Sequence, residues 1–102
     1  MNWYNYLACF FSGVFLANAV PHYVQGLSGN KFPSPFANPP GKGLSSARVN
    51  TAWGLLNILV GYFLFRAGHV ATGDPVILTV FFAGIAAISL QMSGHFANKD
   101  TE

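Results

Sequence analysis

Charged residues are scarce in this chain. Only 8% of its 102 residues are Asp, Glu, Lys or Arg, whereas 52% are apolar and 16% are aromatic. Soluble domains usually carry about 25% charged residues, and a water-soluble fold with so little charge would expose large apolar patches. A lipid environment removes that difficulty. The composition therefore favours an integral membrane protein, for which we expect no nucleic-acid partner.

Acidic residues and cysteine are the rarest of the chemically reactive groups. No Asp or Glu precedes Asp74, and the other two acids, Asp100 and Glu102, lie in the tail. A carboxylate pair or a Ser-His-Asp arrangement therefore cannot be built from the first two thirds of the chain. Cys9 is the single cysteine, which excludes an internal disulfide. We expect a protein that is not an enzyme, although acid–base chemistry by a histidine stays open.

Three long runs without charge occupy residues 3–20, 49–65 and 75–93. A helix needs about 20 mostly apolar residues to cross a hydrocarbon core of about 30 Å, and helices are expected because backbone polar groups must pair within lipid. The predicted fold class is an all-α membrane protein, with one domain over residues 1–102. Its three transmembrane helices are expected at about 3–22, 45–67 and 75–94, with one long ordered loop, rich in Pro and Gly, at 23–44.

Proline, serine, glycine and aspartate indicate where these helices begin and end. Pro21 lacks the N–H that a helix interior requires, so we expect a kink or a helix end there. Ser45 or Ser46 can cap the second helix, and Gly68 is suited to end it. Asp74, directly before a proline, is a typical start for the third helix.

The distribution of Lys and Arg predicts the orientation in the membrane. With three spans, the 21–48 loop and the C-terminus lie on the same side. Basic residues concentrate on the cytoplasmic side of membrane proteins, so we expect the N-terminus outside and the loop and C-terminus in the cytoplasm. The loop side holds Lys31, Lys42, Arg48 and Lys99, and the other side holds Arg66.

A stripe of small and polar residues follows one face of the second helix. Small residues allow helix backbones to approach, and asparagine forms hydrogen bonds between membrane helices. We expect this stripe to pack partly within the chain and partly in a homo-oligomer, from dimer to tetramer. At 100° per residue, the stripe contains Ser46, Asn50, Trp53, Gly54, Asn57, Gly61 and Gly68.

Polar residues from all three helices are expected to converge under the loop. Polar groups within a membrane often mark function, although each of these residues can instead simply join two helices. We predict no catalytic residue. The predicted ligand-binding residues are His22, Gln25, Lys31, Lys42, Arg48, Asn50, Asn57, Gln91 and His95.

The expected ligand is a lipid or another amphiphile with an anionic head, because basic clusters beside a membrane attract anionic lipid. His22 and His95 are weak candidates for binding a metal or haem, and we predict neither metal nor cofactor. The leading hypothesis is a small membrane protein that binds such an amphiphile, or a membrane partner, in a polar vestibule under the 21–48 loop. The alternatives are an oligomeric channel or carrier for a small solute, with Asn57 on a wet path, and an accessory subunit of a larger membrane complex.

Overall fold

The protein is mostly helical, with a short two-stranded ribbon between its first two helices. The computed structural model describes residues 2–70 and 74–101. The two strands pair antiparallel, with Phe32 opposite Ser45. Within the described residues the elements are α1 (Trp3–Leu27), β1 (Phe32–Pro33), β2 (Leu44–Ser45), α2 (Ala47–Ala67) and α3 (Pro75–Phe96).

Two of the helices, α1 and α3, are long and apolar enough to cross a membrane. They contain 25 and 22 residues, which correspond to about 37 and 33 Å at 1.5 Å per residue. The helix α2 has 21 residues, but polar side chains such as Asn50 and Asn57 lower its hydropathy. Length and composition therefore support two of the three predicted spans, and they do not support α2 as the third.

The interface between α1 and α2 repeats every seven residues. On α2, Gly54, Gly61 and Gly68 lie so close to α1 that a Cβ added to them would come within 2.9, 2.6 and 2.6 Å of its atoms. A seven-residue repeat is typical of helices that pack at a small crossing angle, and glycine permits the close approach. The facing residues of α1, in the same order, are Tyr23, Leu16 and Cys9.

Polar side chains of α1 reach the backbone of α2 across this interface. The hydroxyl of Ser12 donates to the carbonyl oxygen of Gly61 at 2.9 Å, and the thiol of Cys9 donates to that of Gly68 at 3.0 Å. The amide of Asn5 donates to a carbonyl in the last turn of α2. Much of the small and polar stripe of α2 is therefore packed on α1 within the chain, and the homo-oligomer stays a prediction.

The third helix packs against the other side of α1 and runs parallel to it. Gly84 lies against Phe10, and the ring of Phe96 lies 6.0 Å from that of His22. A Cβ on Gly84 would lie 1.9 Å from the carbonyl oxygen of Phe10, and a Cβ on Gly13 would lie 2.2 Å from a carbonyl oxygen of α3. These oxygens belong to helix backbones, which cannot rotate away as a side chain can. Because α2 and α3 both pack on α1, α1 is the central helix.

The first helix does not end at Pro21. It continues to Leu27, five residues beyond the predicted end at about residue 22. Proline removes one helical hydrogen bond, but packing on α2 holds the last turns: Tyr23 lies against Gly54, and Gly26 lies against the first turn of α2. The prediction of a helix end at Pro21 was therefore wrong, because tertiary contacts outweighed the local effect of proline.

The other helix ends follow local cap chemistry. Of the two candidate serines, Ser46 caps α2, since its hydroxyl accepts a hydrogen bond from the N–H of Val49 at 3.2 Å. Gly68 follows the last residue of α2. The carboxylate of Asp74 accepts from two N–H groups in the first turn of α3.

The loop at residues 28–46 folds onto the ends of the helices. The buried ring of Phe32 lies 5.5 Å from the ring of His22 and 4.9 Å from that of Phe96. The C-terminal tail also contacts the loop, because the N–H of Asp100 donates to the carbonyl of Lys42 at 3.0 Å. The loop thus forms a cap over one end of the helices.

Replacing Gly84 by alanine should push α3 away from α1. The new methyl would meet the Phe10 carbonyl, and overpacking of this kind typically costs about 1–3 kcal/mol. We expect the free energy of unfolding, measured by circular dichroism during SDS titration in mixed micelles, to fall by about 2 kcal/mol. Gly94→Ala is the matched control, because no atom lies within 4 Å of its Cβ position. Equal stability of the two variants would contradict the close contact.

Candidate functional site

A buried histidine and a buried asparagine join α1, α2 and the loop. His22 Nδ1 lies 2.8 Å from Asn50 Oδ1. The amide nitrogen of Asn50 donates to the carbonyls of Phe32, Ser45 and Ser46. Because that nitrogen faces three acceptors, the oxygen of Asn50 must face His22, and a carbonyl oxygen only accepts. The proton of this hydrogen bond therefore sits on His22 Nδ1.

The second ring nitrogen of His22 has no partner and keeps a small accessible area. Nε2 makes no hydrogen bond within the described residues, although His22 is only 2% exposed. No side-chain nitrogen or oxygen of those residues is both inaccessible and unpartnered, so Nε2 is accessible. His22 lines a cavity of about 190 Å³, which is the open space beside this ring. In a neutral ring with its proton on Nδ1, Nε2 is a hydrogen-bond acceptor.

This cavity, which we call the polar pocket, lies between α1, α2, α3 and the loop. Its volume is about 190 Å³. The apolar part of its wall includes Met92 and Phe96 from α3. The side chains that give it polar or aromatic character are Asn18, His22, Ser34, Trp53, Gln91 and His95.

Asn18 contributes a second acceptor to the polar pocket. Its amide nitrogen donates to Asn57 Oδ1 at 3.0 Å. The amide nitrogen of Asn57 donates to the carbonyl of Trp53 at 2.8 Å, so the orientation of both amides is determined. The oxygen of Asn18 is left without a hydrogen bond inside the described residues and is accessible, on a residue that lines the pocket.

His95 and Gln91 close the pocket from the side of α3. His95 Nε2 lies 2.7 Å from the carbonyl oxygen of Gly41. Since a carbonyl only accepts, this nitrogen donates, and the contact holds the loop over the pocket. The side chain of Gln91 is exposed and lines the same cavity, where its amide can both donate and accept.

A larger apolar groove of about 570 Å³ lies beside the polar pocket, between α1 and α3. Its walls include Leu16 and Val20 of α1 and Ile85 of α3. Met92 and Phe96 line both the groove and the pocket. The two cavities are therefore adjacent, one apolar along the helices and the other polar under the loop.

Five of the predicted binding residues lie at or directly behind this site. His22, Gln91 and His95 line the polar pocket together. Asn50 and Asn57 are buried behind it, and their amides hold the side chains of His22 and of Asn18 on the pocket wall. The convergence expected under the loop therefore includes two residues that act through hydrogen bonds to lining side chains.

The other four predicted residues lie elsewhere. Gln25 and Lys31 line a separate cavity of about 260 Å³ together with Lys99. Lys42 and Arg48 are exposed, and neither lines any of these three cavities. The three cations from which an anionic ligand was inferred are therefore not gathered in the polar pocket.

Seven of the ten residues that line the pocket were not among the predicted binding residues, and three of these seven carry a polar side chain. Asn18 precedes His22 by one helical turn, so helical spacing alone could have identified it. Trp53 belongs to the stripe recognised on α2. Ser34 reaches the pocket only through the fold of the loop, where its hydroxyl lies 2.6 Å from that of Ser45, and no sequence signal points to it.

The arrangement is suited to binding rather than to holding a metal. His22 and His95 share the pocket, but no group of three or more His, Cys, Asp or Glu side chains comes together within residues 2–70 and 74–101. Polar groups at one end of an apolar cavity are typical of ligand sites. Comparison of the chain with protein-family models, with curated proteins and with solved structures gives no match. The function must therefore be argued from this geometry.

Replacing Asn50 by leucine should release the loop from the helices. It would leave three loop and helix carbonyls and His22 Nδ1 without their present partner, and an unpaired buried polar group costs about 1–3 kcal/mol. We expect the free energy of unfolding to fall by about 3 kcal/mol, and trypsin to cut faster after Lys31 and Lys42. Asn98→Leu, in the exposed tail, is the control. Unchanged proteolysis in Asn50→Leu would show that Asn50 does not hold the loop.

Proposed function

We propose that this protein is an integral membrane protein that binds an amphiphile, with the apolar chain in the groove between α1 and α3 and the head in the polar pocket. The observation that carries this proposal is the adjacency of the two cavities, which share Met92 and Phe96 as lining residues. A membrane lipid is the natural occupant, because the groove opens along the side of two helices that can cross a bilayer.

The proposal includes α2 as a third membrane span. Contacts with α1 run along the length of α2, from Gly68 against Cys9 to the first turn against Gly26, which supports a crossing of α2 beside α1. Its low hydropathy comes largely from residues that face α1, such as the buried Asn50 and Asn57. The outward face is apolar, with exposed Leu55, Leu56, Ile58, Leu59, Tyr62 and Phe63.

The surface of the helices supports a lipid environment. Large apolar side chains are exposed on all three helices, including Phe11 and Val20 on α1 and Phe82 and Leu90 on α3. Soluble monomers rarely expose apolar patches beyond a few hundred Å², whereas lipid chains contact such side chains favourably.

We place the N-terminus outside and the loop and C-terminus in the cytoplasm. In the three-span arrangement the basic residues Lys31, Lys42, Arg48 and Lys99 lie on the loop side, opposite Arg66. Cations in short loops set orientation in this way. Because Lys42 and Arg48 line none of the three cavities, we assign them to this topology and to attraction of anionic lipid surfaces.

The geometry favours a binding site over a solute path through Asn57. A channel or carrier of the kind considered from the sequence requires Asn57 to face a wet axis. Asn57 is 1% exposed, its oxygen accepts from Asn18, and its nitrogen donates to Trp53. Both the oxygen and the nitrogen of the Asn57 amide are therefore hydrogen-bonded within the pair of α1 and α2.

Cysteine labelling would test the three spans. In a Cys9→Ser background, which retains a hydrogen-bond donor at that position, we expect Ser28→Cys and Asn98→Cys to react with an impermeant maleimide from the cytoplasmic side. We expect His69→Cys, at the end of α2, to react only from the outside, because α2 crosses the membrane. Labelling of positions 28 and 69 from the same side would rule out α2 as a span.

Filling the groove would test amphiphile binding. Ser89 lines the groove, is exposed, and lies on α3, so Ser89→Trp should occupy the space of the acyl chain without disturbing the helix interfaces. We expect native mass spectrometry of the protein released from nanodiscs to show lipid adducts at least about fivefold weaker than for the unaltered protein. That loss corresponds to about 1 kcal/mol.

The matched control is Ala83→Trp, an exposed position of α3 outside the groove. Its lipid adducts should equal those of the unaltered protein. Equal adducts in all three proteins would show that the groove does not hold the lipid.

A further inference from the structure

We infer that the head group recognised by the polar pocket is uncharged and carries hydroxyl groups, rather than a phosphate or an ammonium. This inference rests on the proposed function and adds the chemistry of the head. It follows from two features of the pocket: none of its lining residues is Asp, Glu, Lys or Arg, and His22 and Asn18 each hold an acceptor, Nε2 and Oδ1, that has no hydrogen-bond partner among the described residues.

Both acceptors are held in position by buried amides. Turning the amide of Asn18 would bring its oxygen against the oxygen of Asn57, which cannot turn because its nitrogen donates to Trp53. Moving the proton of His22 to Nε2 would bring the Nδ1 lone pair against the oxygen of Asn50, whose nitrogen is committed to the loop. These two acceptors therefore cannot readily be exchanged for donors, and the indole N–H of Trp53 and the amide of Gln91, which line the same pocket, supply donors beside them.

A phosphate head is poorly matched to this pair. Phosphate oxygens are acceptors, so they would meet the lone pairs of His22 and Asn18 without a proton between them. The cations that could compensate are placed elsewhere, since Lys42 and Arg48 line neither the pocket nor the groove. Burying a charge without such a partner is strongly unfavourable.

An ammonium head would supply donors but lacks a counter-charge. None of the residues that line the polar pocket is acidic. Asp74 begins α3 at the opposite end of the helices, and Asp100 lines the separate cavity with Lys31 and Lys99. A buried cation beside His95 and without a carboxylate would be unstable.

A hydroxyl head satisfies the pocket without any charge. One hydroxyl can donate to His22 Nε2 and another to Asn18 Oδ1, while their oxygens accept from the amide of Gln91. The volume of about 190 Å³ corresponds to about six water molecules at about 30 Å³ each. That space suits a small head with two hydroxyls, such as the glycerol of a monoacylglycerol.

The test compares three amphiphiles with one dibrominated acyl chain and different heads: a monoacylglycerol, a lysophosphatidate and a primary alkylamine. The readout is bromine quenching of Trp53, which lines the pocket. The protein carries Trp3→Phe and is placed in nanodiscs. The chain has only two tryptophans, so Trp53 is then the single fluorophore.

We expect half-maximal quenching at a mole fraction about tenfold lower for the monoacylglycerol than for the other two. In His22→Asn the new amide can still donate to Asn50 but offers no atom at the Nε2 position, so the preference should fall to about twofold or less. His69→Asn is the matched control, because His69 is exposed near the end of α2, and it should leave the preference unchanged.

The other outcomes show whether the inference about the head group fails alone or whether the proposed amphiphile binding fails as well. Equal quenching by all three heads, reduced by Ser89→Phe, which fills the groove without adding a tryptophan, would overturn the hydroxyl head and leave amphiphile binding intact. Preference for the lysophosphatidate or the amine would likewise overturn the hydroxyl head. Quenching that Ser89→Phe does not reduce would overturn the proposed function itself. If His22→Asn fails to fold, the comparison of heads on the unaltered protein still decides.

Discussion

The structure depends on the close contact between the backbones of α1 and α2. Gly54, Gly61 and Gly68 remove the side chains that would separate the helices, and only at this distance can short polar groups reach across. The hydrogen bond from Ser12 to the Gly61 carbonyl, at 2.9 Å, and that from Asn18 to Asn57, at 3.0 Å, both require it. Glycine packing and polar pairing are therefore one arrangement, in which hidden polar groups leave the outer faces free for lipid.

The same contact determines the chemistry of the pocket. Asn50 lies in the α1–α2 interface, yet its nitrogen bonds to the loop and its oxygen accepts from His22. One buried amide thus bonds to the loop and determines which nitrogen of His22 carries the proton. Asn57 does the same for Asn18. The predicted binding residues Asn50 and Asn57 therefore act by holding their neighbours, because a buried amide with both ends paired has nothing left to offer a ligand.

Much of the helical framework could be predicted from local chemistry. Asp74 before a proline, Ser46 before α2 and Gly68 after it lie at helix ends because caps act within one turn of the chain. Pro21 shows the limit of such reasoning, since α1 continues through it to Leu27 where Gly54 and the first turn of α2 support it. The stripe on α2 was recognised, but periodicity does not say whether its partner is another helix of the chain or a second copy.

The sequence by itself determined the number of helices, their apolar character and the polar face of α2, because composition and periodicity are properties of short segments. Only the tertiary structure decided what the site contains. It brought His22, Gln91 and His95 to one cavity with Asn18 and left Lys42 and Arg48 outside. The reason is physical. The charge of each residue is known from the sequence alone. Whether an acceptor atom is left unpaired and accessible depends on the hydrogen bonds that the neighbouring amides form in the folded chain.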